Sequence, residues 1–475
     1  MSAPREQFGS RLGFILAAAG SAVGIGNLVG FPVGAAKNGG GAFLLMYAIF
    51  VVAICVPVMI AEMTIGRASQ KDPLGALTSL SDGHKGWRFA GWLSIVTPFM
   101  IAVFYLVITI WIFGYLFESS IGNLDLLADP ATFGSFISGN SIFIYMAGVL
   151  AIVYLILQGG VKQGIEKAAK ILMPALFIML LGMVVFVLTR DNAMAGVSFY
   201  LVPDFDKINA SVINGALSQA FFSLSLGMGI MITYGSYIDK RSNLPSSAKL
   251  VALTDTAVAF TAGLMILPAI FSFNPSVNPS ELSESSVSMI FSFLPQIFLA
   301  LQDTLGYTGA SVVASTFFLL VFFAAITSLV SIFEVPVAAL MSEKGIARKH
   351  SLLICGCLLI VFALMCAFSF GFFDFFTSFM SYGGSDTPKS FFDLVYDVFY
   401  DTILPLNGLL ICLFVSYKWK TQAFNDELDQ GAPEFKSSFL ERYVNFALGT
   451  FIPLILLIIF ANTVALKFFG SALIG

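Results

Sequence analysis

Asp255 lies in Leu253-Thr254-Asp255-Thr256-Ala257-Val258-Ala259-Phe260, inside an apolar run long enough to cross a bilayer. A carboxylate there is costly to bury and needs a cation or a proton beside it. Two further stretches carry polar groups at the same depth. The run Ile15 to Pro32 holds Gly20, Gly24, Gly26 and Gly30, with the amide of Asn27 among them. The run Gln219 to Ile230 holds Ser223 and Ser225 just before Gly227 and Gly229. Glycine and proline are poor helix formers, so both runs predict helices interrupted near mid-membrane. Interrupted ends free N–H groups, which suit an anion, and carbonyls, which suit a cation. The alternative for the first run is a small-residue face on which two helices pack closely.

The elements that position these groups follow from composition. Of 475 residues, 58% are hydrophobic and 11% are charged, with 50 Phe. That balance excludes a soluble globular protein and predicts a polytopic helical membrane protein. Eleven apolar segments have spanning length, at 11–35, 41–66, 89–117, 140–158, 168–189, 210–238, 248–273, 310–341, 350–372, 391–416 and 444–469. With the N-terminus inside, all of the 24 basic residues except Lys37, Arg190, Lys207, Lys389 and Lys467 fall at inner ends and loops. The expected topology is therefore N-terminus cytoplasmic and, with an odd count, C-terminus extracellular or periplasmic, in the cell's inner (plasma) membrane. The polar residues 1–10 show no cleavable signal pattern.

The second glycine-interrupted segment lies five segments after the first, and an odd offset inverts one half relative to the other. Broken helices at matching places in inverted halves point to a substrate site at the membrane midplane. The organisation expected is an inner-gate segment 1–10, a first repeat 11–189 (helices 1–5), an external loop 190–209, and a second repeat 210–416 (helices 6–10) with an external lid 274–309. A cytoplasmic loop 417–443 and an added helix in 444–475 complete it. The inner stretch 67–88 is expected to lie along the membrane surface, with His84 solvated. Cys55, Cys355, Cys357, Cys366 and Cys412 lack metal-type spacing and read as packing residues. Two histidines and no nucleophile–base pair argue against an enzyme.

Gly24-Ile25-Gly26-Asn27 running to Phe31-Pro32, then Asn38-Gly39-Gly40-Gly41-Ala42-Phe43, Glu62 near Gly66-Arg67, and Ser223-Leu224-Ser225-Leu226-Gly227 resemble the neurotransmitter:sodium symporter family. Within it, the chain resembles the bacterial amino-acid transporters of the leucine-transporter type. The resemblance implies a 5+5 inverted repeat with helices 1 and 6 broken. It also implies two sodium sites. The first uses the Ala22 carbonyl, Asn27, Ser223, Asp255 (or its neighbour Thr254) and the substrate carboxylate. The second uses carbonyls of Gly20, Val23 and Ala324 with the hydroxyls of Thr327 and Ser328, for which helix–helix hydrogen bonding is the plainer role. Oxygen ligands without excess charge suit a hard monovalent cation. Asp255 stands where chloride-dependent relatives carry a neutral Asn, and Ala259 where they carry a chloride-binding Ser. The expectation is an internal negative charge and no need for chloride, with proton uptake by Asp255 during return of the empty carrier as a further role.

The same mapping implies a substrate pocket. Amides of Ile25 and Gly26 and the Tyr105 hydroxyl take a carboxylate. Carbonyls of Ala22, Phe222 and Ser223, with Ser225, take an ammonium. Position 24 is Gly rather than the Asp of monoamine carriers, which favours an amino acid. Ile101, Phe222, Met228, Ser328 and Ile332 line an uncharged side-chain pocket, so the cargo expected is a neutral, mostly apolar amino acid. Arg5 with Glu343, and Phe8 against Tyr237 and Ser236, form the inner gate; Phe222 and Tyr105 form the outer lid. The Arg expected at position 30 is Gly30, and its acidic partner aligns with Tyr396 beside Asp397. The function implied is sodium-coupled import by alternating access, with lipid and a small molecule as partners and no nucleic acid. The rivals are an amino-acid sensor without transport, an ion channel, and a symporter for another zwitterion of taurine or betaine type.

Overall fold

The computed structural model describes residues 6–273, 287, 289–385, 387–471 and 473. Among these residues the structure is helical throughout, as the long apolar runs require: in hydrocarbon a helix is the local way to satisfy every backbone group. Arg5 and most of the 274–288 stretch of the expected lid lie outside the described residues.

The chain begins with α1 (Arg11–Ala22) and α2 (Gly26–Lys37), which meet at 54°. Next come α3 (Gly41–Ser69), α4 (Lys85–Ser120), α5 (Ser141–Gln158) and α6 (Gly160–Leu188). The run expected to form a single sixth helix is α7 (Ala210–Ser223) and α8 (Ile230–Gly235), joined by the turn 224–229. Then follow α9 (Leu244–Phe273), α10 (Gln302–Lys344), α11 (Arg348–Phe368), α12 (Phe391–Asp429) and α13 (Phe439–Phe469). Among the described residues nine helices have spanning length and apolarity, or ten if the bent α1–α2 pair counts as one.

Burial orders these helices. The most apolar windows of α4 and α10 are each 83% buried, and the two pack extensively on each other. Those of α5, α6 and α13 are 33% buried and turn Ile144, Leu155, Ile171, Ile178, Val185 and Leu454 outward. Apolar side chains facing outward in such number fit lipid rather than water. The centre of the bundle is thus α4 and α10, with α1 and α8 packed on α10, while α2 packs on α9 and α7 on α3.

Two connections carry helix of their own. Residues 73–79 lie within the stretch 67–88. They form a short helix capped by Asp72, whose carboxylate accepts from the amides of Leu74 and Gly75. Pro73 through Leu77 are buried, and the helix packs on α4. The apolar face that reads as membrane-seeking is satisfied by protein instead. Within 417–443, expected as a cytoplasmic loop, α12 continues to Asp429 and α13 begins at Phe439. Phe424, Leu428 and Phe435 are buried there, so the segment has its own packed core. His84 is exposed and caps α4, its Nδ1 accepting from the Gly86 amide.

Candidate functional site

The site is built around two places where helix stops. α1 ends at Ala22, and Val23 turns to φ −69°, ψ 102°, an extended conformation. The Val23 amide still reaches back to the Ala19 carbonyl, while Asn27 Oδ1 accepts from the Gly24 amide at 3.0 Å. Position 24 has no room for a side chain: a Cβ would stand 2.8 Å from both Ser328 Oγ and Tyr105 Oη. The second stop is set by backbone sign. Ser225, Gly227 and Gly229 have φ of +54°, +74° and +67°, the region glycine tolerates best. The Gly227 amide donates to Glu62 at 2.7 Å, and its carbonyl accepts from Asn407 at 2.9 Å. Both ends of that loosened peptide are therefore held by buried side chains, as non-helical backbone at membrane depth requires.

Between the two stops lies a buried polar cluster. Asn27 Nδ2 donates to Asp255 Oδ1 at 2.7 Å and to Ser223 Oγ at 2.9 Å. Ser223 Oγ donates to Asp255 Oδ2 at 2.9 Å. Tyr47 Oη stands 3.2 Å from both Ser223 Oγ and Asp255 Oδ2. Asn27 and Asp255 are fully buried. It is Asp255, not Thr254, that reaches Asn27 and Ser223. Four chain segments thus converge on one point, bringing the oxygens of Tyr47, Ser223 and Asp255 and one formal negative charge to the Asn27 amide. Tyr47 escapes the sequence reading, because a lone Tyr in an apolar helix looks like packing.

A second cluster joins α1 to α10. Ser328 Oγ donates to the carbonyls of Ser21 and Val23 at 3.1 and 3.2 Å. Thr327 Oγ1 lies 3.1 Å from the Ala324 carbonyl, and a Cβ at Gly20 would meet Thr327 Cβ at 3.4 Å. Gly20, Val23, Ala324, Thr327 and Ser328 are therefore brought together. Ser331, donating to Ser21 Oγ at 2.7 Å, extends the seam.

The remaining predicted residues surround the break in α1. Ile25 N–H donates to Tyr105 Oη at 3.2 Å. Ser225 Oγ donates to the Ser21 carbonyl at 3.0 Å. Phe222 lies across Gly26, where a Cβ would meet its ring at 3.0 Å. Gln219, unforeseen, donates to the Gly26 carbonyl at 2.9 Å. Ile101 and Ile332 are buried one helical turn from Tyr105 and Ser328, and Met228 is buried in the turn 224–229. The ring that closes on Phe222 is Tyr400, with centroids 4.3 Å apart. Tyr105 instead occupies the floor beneath, at Ile25.

At the opposite end of α1, Phe8 packs edge-on against Phe14, Tyr234 and Tyr237, and its amide donates to the Tyr237 carbonyl at 3.1 Å. Ser236 is buried nearby. Glu343 is exposed, and its expected partner Arg5 lies outside the described residues. The buried ion pair at this end is another: Arg348 meets Glu334 at 2.6 Å, Tyr237 Oη donates to Glu334 at 2.8 Å, and the exposed Glu6 lies 3.7 Å from Arg348.

A helical membrane protein with interrupted helices around a buried, oxygen-lined cluster is the architecture of a transporter rather than of an enzyme. The model of the sodium:neurotransmitter symporter family matches residues 5–127 and 136–469. A sodium-dependent transporter of Bacillus subtilis (strain 168), YhdH, is 34% identical over 471 residues, covering 98% of each chain. One from Methanocaldococcus jannaschii is 35% identical over 363 residues, covering 74% of this chain and 72% of that one. The crystal structure of MhsT in complex with L-phenylalanine is similar at a TM-score of 0.81 and 36% identity, covering 96% of this chain and 99% of that chain. This chain belongs to the sodium:neurotransmitter symporter family and is a multi-pass, sodium-dependent symporter of it.

Proposed function

We propose that the chain imports a neutral amino acid with an apolar side chain, coupled to sodium and independent of chloride, by alternating access between two inverted halves, 11–189 and 210–416. The N-terminus is placed in the cytoplasm, so that Phe222 and Tyr400 face outward and Phe8 faces inward. The observation that carries this reading is the Asp255–Asn27–Ser223 cluster beside the break in α1. Its donors are oxygens, and its carboxylate offsets one monovalent cation without a second anion. The Asn27 amide nitrogen points at these oxygens; a sodium ion there uses the same oxygens, with the amide turned to offer Oδ1.

The second group, Gly20, Val23, Ala324, Thr327 and Ser328, supports a further sodium site made of neutral oxygens. It ties α1 to α10, so a cation lost from it loosens the first helix toward the cytoplasm. Substrate recognition uses the Ile25 and Gly26 amides and Tyr105 for the carboxylate. The carbonyls of Ala22, Phe222 and Ser223, with Ser225, take the ammonium. Ile101, Phe222, Met228, Ser328 and Ile332, proposed to line the side-chain pocket, include neither basic nor acidic residues, so a charged cargo side chain finds no partner among them. The phenylalanine bound by MhsT agrees with an apolar cargo, and that protein is similar over 96% of this chain.

Reconstitution in vesicles tests the proposal. An inward sodium gradient is expected to drive accumulation of labelled L-phenylalanine or L-leucine, with choline in place of sodium abolishing it and gluconate in place of chloride leaving it unchanged. Uptake that collapses without chloride overturns the role given to Asp255, and uptake indifferent to sodium overturns the whole.

A further inference from the structure

Lys467 lies near the end of α13, far in sequence from the site. Its Nζ is 2.6 Å from Asp397 Oδ1 and 2.8 Å from Asp401 Oδ2. Both acids sit on Tyr396–Ile403, a stretch of α12 wound more widely than an α-helix. Asp397 is buried, accepts from the Tyr382 hydroxyl, and has Lys389 at 3.9 Å. Two carboxylates thus face two lysines at one end of the molecule.

The same short stretch carries Tyr396 and Tyr400, whose rings stack at 4.5 Å, and Tyr400 is the ring that meets Phe222. Phe104 packs on both tyrosines, at 5.3 and 6.0 Å. Among the described residues no ion pair spans the lid itself. Gly30 offers no charge, and the side chain over it is the uncharged Gln219, 3.5 Å from where a Cβ would be. Beside the lid lies a cavity of about 230 Å³ bounded by Ser218, Phe221, Phe222, Tyr400, Asp401 and Lys467. The tyrosine-bearing stretch therefore borders open space, and the Asp401–Lys467 pair that holds it lines the same space.

We propose that Lys467 is a positioning residue for the outer lid: its ion pairs with Asp397 and Asp401 hold Tyr400 against Phe222 and set how readily the path closes over bound substrate. Without Lys467 the two carboxylates repel each other across a poorly hydrated space, and Asp401 is drawn toward solvent together with the backbone of Tyr400. The substrate-facing groups remain intact, so the defect is one of closure.

This inference rests on the transport reading above, and the test separates the two. The full chain is reconstituted as Lys467→Met and Lys467→Arg, each also in a Cys357→Ser, Gly30→Cys background for reaction with a membrane-impermeant thiol reagent. The expected results for Lys467→Met are a half-saturating substrate concentration raised about tenfold, a maximal rate within about twofold, and faster labelling of Cys at position 30. Lys467→Arg is expected to restore all three. If Lys467→Met fails to fold, Asp401→Asn carries the same readouts with a smaller expected effect. Unchanged labelling and unchanged half-saturation overturn the proposal, as does a loss that follows only the amount of folded protein. Labelling needs no transport, so a chain that moved no amino acid would fail the uptake assay and still report the lid.

Discussion

The residue on which most depends is Asp255. A carboxylate sealed inside a membrane protein is expensive, and here it is held by Asn27, Ser223 and Tyr47 rather than by a basic side chain. In the proposed reading, its uncompensated charge gives the cluster affinity for a cation. Asp255→Asn is therefore expected to lower sodium-driven uptake at least about tenfold in chloride-free buffer, read as the initial rate in vesicles. Tyr47→Phe removes one hydroxyl shared between two acceptors at 3.2 Å. A hydrogen bond of that kind contributes about 1 kcal/mol, so sodium affinity is expected to fall about fivefold by equilibrium binding. Asp255 was legible in the sequence because a charge in an apolar run stands out. Tyr47 and Gln219 were not, because a hydroxyl or amide near a helix end has many ordinary uses. Only the fold shows that Tyr47 is brought to a serine 176 positions away.

At the scale of elements, the interrupted stretches are what turn helices into a site. The glycines marked both places, since a helix cannot hold so many without local reason. What the sequence did not announce is how the loosened backbone is held. Glu62 and Asn407 come from other helices to grip Gly227, and Glu62 was legible only as part of a motif. Gly227→Ala tests that grip: the residue keeps φ +74°, and a Cβ would come 2.6 Å from the Leu404 carbonyl. The left-handed conformation alone costs about 1–2 kcal/mol for a residue with a Cβ. A lower thermal unfolding temperature in detergent, together with lost uptake, is the expected outcome. The helices within 67–88 and 417–443 were not legible in the sequence, for one physical reason. Amphipathic segments near a membrane boundary look alike whether lipid or protein covers their apolar face, and local pattern does not say which.

At the scale of the whole molecule, the two ends of the transport path are built differently. The end proposed as outer is closed by rings, Phe222 on Tyr400, and the end proposed as inner by Phe8 together with the largely buried pair Arg348 and Glu334, with the exposed Glu6 beside them. Glu334 is fully buried, so Glu334→Ala leaves Arg348 largely buried beside an empty place. Removing one partner of such a pair typically costs about 3–5 kcal/mol, whereas replacing both with apolar residues is often close to neutral. Thermal unfolding is expected to drop sharply for Glu334→Ala and to recover in the double variant Glu334→Met, Arg348→Met. The broad plan of a multi-pass helical carrier was readable from composition and periodic apolar runs. The inner ion network was not, because its members are scattered from Glu6 to Arg348 and only tertiary folding makes them neighbours.

A cation that touches the cargo's own carboxylate must tighten the cargo as much as the cargo tightens it, because binding linkage is reciprocal. The direct measurement is equilibrium binding of labelled L-phenylalanine or L-leucine to purified protein across a sodium titration, in chloride and in gluconate. Affinity that rises steeply with sodium, is the same in both anions, and is lost in Asp255→Ala is the predicted result. Amino-acid binding of equal strength with sodium and with choline would contradict it.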